Sequence, residues 1–506
     1  MVAVCAVLGI LVLALAAAGA SAMLQSRALT SAFYAQLYRG KVPAEIAGFY
    51  EGRGFRPFWL DAPAWRFWRA PTLRPEAAQL AAMTRDPKLP AALDAARSGR
   101  PDDLARAELA LSIALGRYVE GLSRTSAGEK LAFIEPDLAQ PTGAGARLAQ
   151  AAAAPSLSRH LAALASPNPV HAALLKGLAT YRATWSKLPQ IQLGAGPTLR
   201  QGDAGERVLR LRERLGLATT GPAADRFDPG LSGAVRHFQS AHALPATGEA
   251  DPATIAALNR GAAPYEALIL KNLERARLLP PPIGRRFLLV NPASGELSLY
   301  EDGEARDAMK VVVGSQREQT PMMAGLMRHL VYNPYWYVPV DMTREAIAPR
   351  VLASNGGYIQ AARLETLSDW TDEAVPIDPA YVDWDAVATG ALEVRVRQKP
   401  GGDNMMGQVK FMLPNELGIY LHDTPDKGVF AQAGRLLSAG CVRLERAHDL
   451  AAWLMGRRPP YPATLGPDTR FDLRTPVTVY ISYLTAAPGP GGVAFHPDVY
   501  GRDARS

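Results

Sequence analysis

Cysteine is almost missing from this chain: 506 residues contain two, Cys5 and Cys441. Two thiols so far apart exclude a disulfide framework and every cysteine-rich metal module. Blocks of Lys or Arg are missing too. The net charge of +7 and pI near 9.3 arise from mixed charges along the chain. That excludes a basic nucleic-acid arm and allows only a weak pull toward an anionic polymer or membrane surface. No GxGxxG or P-loop pattern stands between a strand and a helix, and no His/Cys cluster has metal-ligand spacing, so neither nucleotide, cofactor nor metal is expected. The length allows two to four domains.

Charge is also missing from the first residues. "MVAVCAVLGILVLALAAAGASA" has none before Arg27 and ends in the small-x-small Ala20-Ser21-Ala22. Residues 1–22 are expected to be an export signal, with a retained membrane anchor as the alternative, since the run is long enough to span a bilayer. The usual basic flank is absent, which points to a start further upstream. Cys5 falls inside this segment and reads as incidental. The exported chain then keeps one thiol, Cys441.

Residues 23–190 read as helical and rich in Ala and Leu. Leu109, Leu111, Ile113, Leu115, Val119 and Leu122 approximate an amphipathic face, and the aromatic Gly48–Leu60 reads as core. Residues 193–260 change character. Val208, Leu211 and Leu215 share one helical face, with Asp203 and Glu206 suggesting a capping box. Asp228-Pro229 and Asp251-Pro252 each place a cap before an N1 proline. This is a three-helix unit of roughly 65 residues, near the lower size limit for an independent core. After the proline-rich linker 278–286 the period becomes two. "RRFLLVN", "ELSLY", "MKVVVG", "LVYNPYWYVPV", "LEVRVRQ", "QVKFML", "GIYLHD" and "VTVYISYL" read as strands of a β-rich domain over 285–485. Residues 341–392 interrupt it as a helix-containing, acidic insertion of lid type. The tail 486–506 reads as irregular. The fold class is therefore multidomain α+β.

A catalytic thiol needs a base near it, because thiolate is the nucleophile. Most of the eight histidines lie elsewhere: His160 and His171 in the helical region, His237 and His242 in the small module, His496 in the tail. His448 falls on a helix expected after the cysteine. His422 ends a strand nineteen residues before Cys441, and the intervening loop could bring the two together.

"IYLHDTP…RLLSAGCVRL", with "SQREQTPMMAG", "YNPYWYVP" and "PGGDNMMGQVKFMLPNELG" upstream, resembles the L,D-transpeptidase catalytic domain family (YkuD type). "GDAGERVLRLRERLG", "FDPGLSGAVRHFQSAHAL" and "TGEADPATIAALN" resemble the type 1 peptidoglycan-binding domain; a spacer that has lost its groove is the other reading of that module. The order of scaffold, wall-binding module and lidded catalytic domain resembles the large periplasmic subgroup of Gram-negative bacteria. The resemblance implies Cys441 as nucleophile, His422 as base, amides at Gly440 and Cys441 as oxyanion hole, and Tyr420 as an aid to oxyanion or imidazole. It implies substrate contacts from Ser438, Arg443, Trp336, Asn404 and Asp423, the last also a candidate to orient His422. Ala439 departs from the pattern, where the family has His or Ser. The implied reaction forms 3→3 cross-links between peptidoglycan stems through a thioester, with D-alanine released from a tetrapeptide donor. The implied partners are stem peptides, with no nucleic acid, and the chain is expected to be monomeric. A cysteine hydrolase of the same fold and a non-catalytic wall-binding scaffold remain as competitors.

Overall fold

The computed structural model describes residues 27–39, 42–61, 71–123, 130–135, 138, 143–165, 168–221, 224–279, 285–458 and 461–504. The leader expected at 1–22 and most of the linker 278–286 lie outside these residues. No helix among them is long and apolar enough to cross a membrane. The chain divides into two compact units, Met1–Ser126 with Ala139–Asn168 and Ala127–Leu138 with Pro169–Ser506.

The first unit is helical. Its longest helix, α1 (Pro101–Ser123), opens with proline and two acids, which suit the first turn. Leu109, Leu111, Leu115 and Val119 are buried and Ile113 is partly so. The spacing of two in that run means α1 is covered on more than one face. Leu122's side chain is outside the described residues. The aromatic stretch is core, as expected, and it surrounds a carboxylate. Buried Glu108 accepts from the Tyr50 hydroxyl at 2.7 Å and the Trp59 amide at 2.9 Å, and burial raises its pKa.

The unit ends at Asn168, not at 190. Strand β1 (Ala132–Phe133) and helix α2 (Pro169–Thr184) belong to the second unit instead. Val170, Leu174, Leu178 and Tyr181 share a core with Ile269, Leu273, Tyr483 and Phe495; helical periodicity does not say which neighbour a face meets.

In the second unit, α3 (Glu206–Arg214), α4 (Pro229–Ala241) and α5 (Pro252–Arg260) close around Val208, Leu211, Leu231, Val235, Phe238 and Leu258. Asp228 caps Leu231 N–H and Asp251 caps Thr254 N–H. Asp203 does not cap α3. The chain turns at Gly205, whose φ of 119° favours glycine, and Asp203 closes an earlier turn on Arg200 N–H at 2.8 Å. A further helix, α6 (Ala263–Arg277), joins this module to the rest. At that joint His242 stacks on Phe238 at 4.0 Å, stands edge-on to Tyr265 at 4.6 Å and reaches the Tyr181 hydroxyl at 3.1 Å.

Strands β2 (Arg286–Asn291), β3 (Glu296–Glu301), β4 (Glu304–Gly314), β5 (Met323–Tyr332), β6 (Trp336–Val338), β7 (Leu364–Leu367), β8 (Pro376–Ile377), β9 (Arg395–Gln398), β10 (Val409–Met412), β11 (Leu421–His422), β12 (Leu436–Ser438), β13 (Val442–Leu444) and β14 (Thr469–Ile481) build the β-rich region. The main sheet runs β10-β11-β13-β4-β3-β2-β14-β5-β1, and β10 also pairs with β5, so eight strands close on themselves. One residue in two along each strand feeds a shared core, including Val290, Val311, Leu330, Phe411, Leu421, Val442 and Val479. Helix α7 (Ala447–Met455) adds Leu450 and Leu454.

The insertion folds around its own core. It supplies β7, β8 and short helices, and its sheet runs β8-β7-β9-β6 over Trp336, Val351, Trp384 and Val396. The tail is not irregular. Strands β15 (Ala486–Gly489) and β16 (Gly492–Phe495) form a hairpin on α2. A Cβ on Gly177 would meet the Gly492 carbonyl at 2.6 Å, so glycine permits this approach. The turn-rich "PGPGG" hides the alternation that buries Ala486, Val493 and Phe495.

Phe411 is fully buried where β10 closes the ring. Phe411→Ala is expected to cost about 3–5 kcal/mol, read as a lower urea midpoint at unchanged slope.

Candidate active site

Strands β11 and β13 are parallel, with Leu421 opposite Val442 and His422 opposite Arg443. Leu421 and Val442 are buried in the ring core. Alternation therefore sends Tyr420, His422, Cys441 and Arg443 to the other face. Antiparallel β10 adds Lys410 opposite His422. Cys441 and His422 are thus diagonal neighbours across one strand pair, as the spacing argument required, and Val442 N–H donates to Tyr420 carbonyl at 3.1 Å to fix the register.

His422 is 2% exposed. Its Nδ1 lies 2.6 Å from the Asp423 carbonyl. A carbonyl only accepts, so Nδ1 carries the proton and Nε2 keeps a lone pair. Burial, then the Arg443 charge, pushes the imidazole pKa down to about 3. The imidazole is held neutral with Nε2 as its acceptor nitrogen.

Cys441 is partly exposed, and its Sγ lies 3.5 Å from the Gly418 carbonyl. Burial raises the thiol pKa. The backbone amide and hydroxyl of Tyr420 and the charges of Lys410 and Arg443 act in the opposite direction without cancelling it. The raised thiol pKa and the lowered imidazole pKa both favour the neutral pair over thiolate and imidazolium. The proton stays on sulfur until it passes to nitrogen.

The turn before the thiol is held from several sides. Gly440 has φ of 104°, and a Cβ there would lie 3.0 Å from Ile419 Cδ1. Ser438 Oγ donates to the Cys441 carbonyl at 2.6 Å and accepts from Gly440 N–H at 3.2 Å. Thr320 Oγ1 donates to the Gly440 carbonyl and accepts from Gly314 N–H, both at 2.8 Å. Tyr500 hydroxyl donates to the Gly314 carbonyl at 2.7 Å. Among the described residues the Cys441 N–H has no partner, which leaves it for an oxyanion.

Several expected roles change. Gly440 N–H is taken by Ser438, so it is not a free oxyanion donor, and Ser438 itself is a brace whose hydroxyl faces the backbone. Trp336 lies in the insertion core instead of lining a cleft. Asn404 is fully buried; its amide donates to the carbonyls of Pro334, Gln398 and Lys399. Asp423 orients His422 through its carbonyl, while its buried carboxylate accepts from Gln408 N–H at 2.9 Å and Lys427 Nζ at 2.6 Å, so it does not meet substrate. Each of these polar side chains satisfies nearby backbone or a cation, a use that residue type alone cannot reveal. Arg443 stands on the nucleophile's face, with no ion pair among the described residues. Lys410, Thr320 and Tyr500 escaped the sequence reading. Only Lys410 left a trace there: it alternates with Val409 and Phe411 as Tyr420 and His422 alternate with Leu421.

Residues 285–481 match the family model of the L,D-transpeptidase catalytic domain, residues 205–258 that of a "Putative peptidoglycan binding domain", and residues 44–178 that of a scaffold domain. A curated "Putative L,D-transpeptidase" of Haemophilus influenzae is 32% identical over 239 residues, 46% of this chain and 47% of its own. The chain thus spans about half the length of that relative. Among solved structures, an L,D-transpeptidase from Mycobacterium smegmatis aligns at 14% identity over 39% of this chain and 58% of its own, with a TM-score of 0.20. One from Stackebrandtia nassauensis aligns at 15% identity over 57% of this chain and 97% of its own, also with a TM-score of 0.20. Scores this low bear on neither fold nor function.

The raised thiol pKa predicts that iodoacetamide labels Cys441 with a midpoint above that of ordinary cysteine. Labelling that stays flat between about pH 5 and 8, the mark of a preformed ion pair, would contradict this. Thr320→Val should destabilise the fold by about 1–3 kcal/mol and lower turnover by loosening the Gly440 turn; calorimetry and product assay read the two effects.

Proposed function

We propose that this chain, which carries an L,D-transpeptidase catalytic domain (residues 285–481) behind a peptidoglycan-binding domain (205–258), cross-links peptidoglycan stems 3→3 through a Cys441 thioester. The observation that carries the reading is a thiol sharing one sheet face with a neutral His422 whose Nδ1 holds the proton, leaving Nε2 as the acceptor.

The Cys441 proton passes to His422 Nε2 as sulfur attacks the carbonyl between the third stem residue and the terminal D-alanine. The new oxyanion meets Cys441 N–H and the Tyr420 hydroxyl. Collapse breaks the C–N bond, and His422 returns the proton to the departing amine, so D-alanine leaves and a thioester remains. His422 then takes a proton from the acceptor amine as it attacks the thioester. The amide forms, the C–S bond breaks, and the proton returns to sulfur. Arg443 is suited to a substrate carboxylate. The insertion 341–392 would exclude water, which competes with the amine, and the wall module would raise the local concentration of stems. The uncharged leader fits export to the periplasm, with or without retention in the inner membrane. A monomer suffices for this chemistry.

Intact-mass analysis after incubation with disaccharide-tetrapeptide tests the reading. A 3→3 dimer with free D-alanine is expected, absent in Cys441→Ala and His422→Ala. Free tripeptide without dimer would point to hydrolysis instead. No adduct and no product from folded protein would favour a wall-binding scaffold.

A further inference from the structure

Strand β10 delivers a cation to the nucleophile's face that the reaction above does not use. Lys410 stands opposite His422 in register, and its ammonium lies 3.9 Å from the centroid of the Tyr420 ring. Among the described residues it makes no ion pair. A half-buried ammonium with no carboxylate partner is costly. The cation–π contact offsets part of that cost and fixes where the charge sits, on the ring of the residue whose amide and hydroxyl act on the thiol.

The other charged and titratable groups around Lys410 leave it this task. His422 and Arg443 continue its row across β11 and β13. His329 lies near it on β5, disfavoured as a cation by burial first, then by Arg470, with Lys410 adding to this. Asp468 attracts it, but that carboxylate already accepts from Tyr335 N–H at 3.0 Å and also feels Arg397. The two cations differ in their targets. Lys410 weighs more than Arg443 on the thiol, and Arg443 weighs more than Lys410 on the imidazole. Burial chiefly keeps the imidazole neutral, with Arg443 next, and both cations favour charge on sulfur.

We propose that Lys410 is a positioning residue for this site: seated on the Tyr420 ring, its ammonium stabilises the Cys441 thiolate that forms as the proton moves to His422. This rests on Cys441 being the nucleophile. In a site shielded from water, charge created on sulfur gains more from a fixed cation than it would in bulk solvent.

The test is the pH profile of iodoacetamide labelling at Cys441, read on the full chain by mass of the Cys441 peptide. Wild type, Lys410→Met and Lys410→Arg are compared without substrate. Lys410→Met should move the midpoint upward by about one unit, slowing labelling roughly tenfold at neutral pH. Lys410→Arg should restore most of the wild-type profile, and kcat should fall in Lys410→Met with little change in KM. Should the Met variant fail to fold, Lys410→Gln carries the same comparison. An unmoved midpoint, or an Arg variant as impaired as the Met variant, overturns the proposal. A change confined to KM also overturns it, in favour of a substrate anchor. A shifted midpoint in a protein that makes no dimer keeps the role of Lys410 and sinks the transpeptidase reading.

Discussion

The site depends on one strand pairing. Parallel β11 and β13 are short, and their register is set by what they bury: Leu421 and Val442 must face the ring core. The polar residues between them then have one face left to occupy. A slip of one residue would put His422 and Cys441 into the core and expose their apolar neighbours. Closure of the ring through β10 and β5 makes such a slip costly, because it would propagate through both neighbours of β11. The positions of Cys441 and His422 are thus a by-product of apolar burial on the inner side of their strands.

That arrangement places two weakly ionised partners together in a low-dielectric setting. Burial acts in the same sense on both: it disfavours thiolate and imidazolium alike. The resting site is electrically quiet, with its fixed charge carried by Lys410 and Arg443. A thiol kept protonated is also a poorer target for adventitious oxidation.

Much of this was legible in sequence because the signals were local. The Asp-Pro caps at 228 and 251, the alternating strands, and the linked His422 and Cys441 motifs each rest on a few adjacent residues. Asp203 failed because a glycine two positions later took the turn. Ser438, Asn404 and Asp423 were recognised as polar residues near the site, but their partners are backbone groups or a lysine whose positions only tertiary structure fixes. Strand β1 and the β15–β16 hairpin were missed for a similar reason. Two residues among helices, and a few residues between glycines and prolines, become strands only because an existing sheet or helix receives them.

Tyr500 connects these points. Its hydroxyl holds Gly314, whose amide meets Thr320, which in turn grips the Gly440 carbonyl. Tyr500 follows Cys441 by 59 residues, beyond α7, β14 and the hairpin. During synthesis the strands that carry sulfur and imidazole therefore emerge well before the residue that steadies the turn between them. Until Tyr500 arrives and stacks on Tyr483, the Gly314 carbonyl lacks the hydroxyl that holds it in the folded domain. The order of the chain itself makes the Gly440 turn one of the last features to gain its full set of contacts.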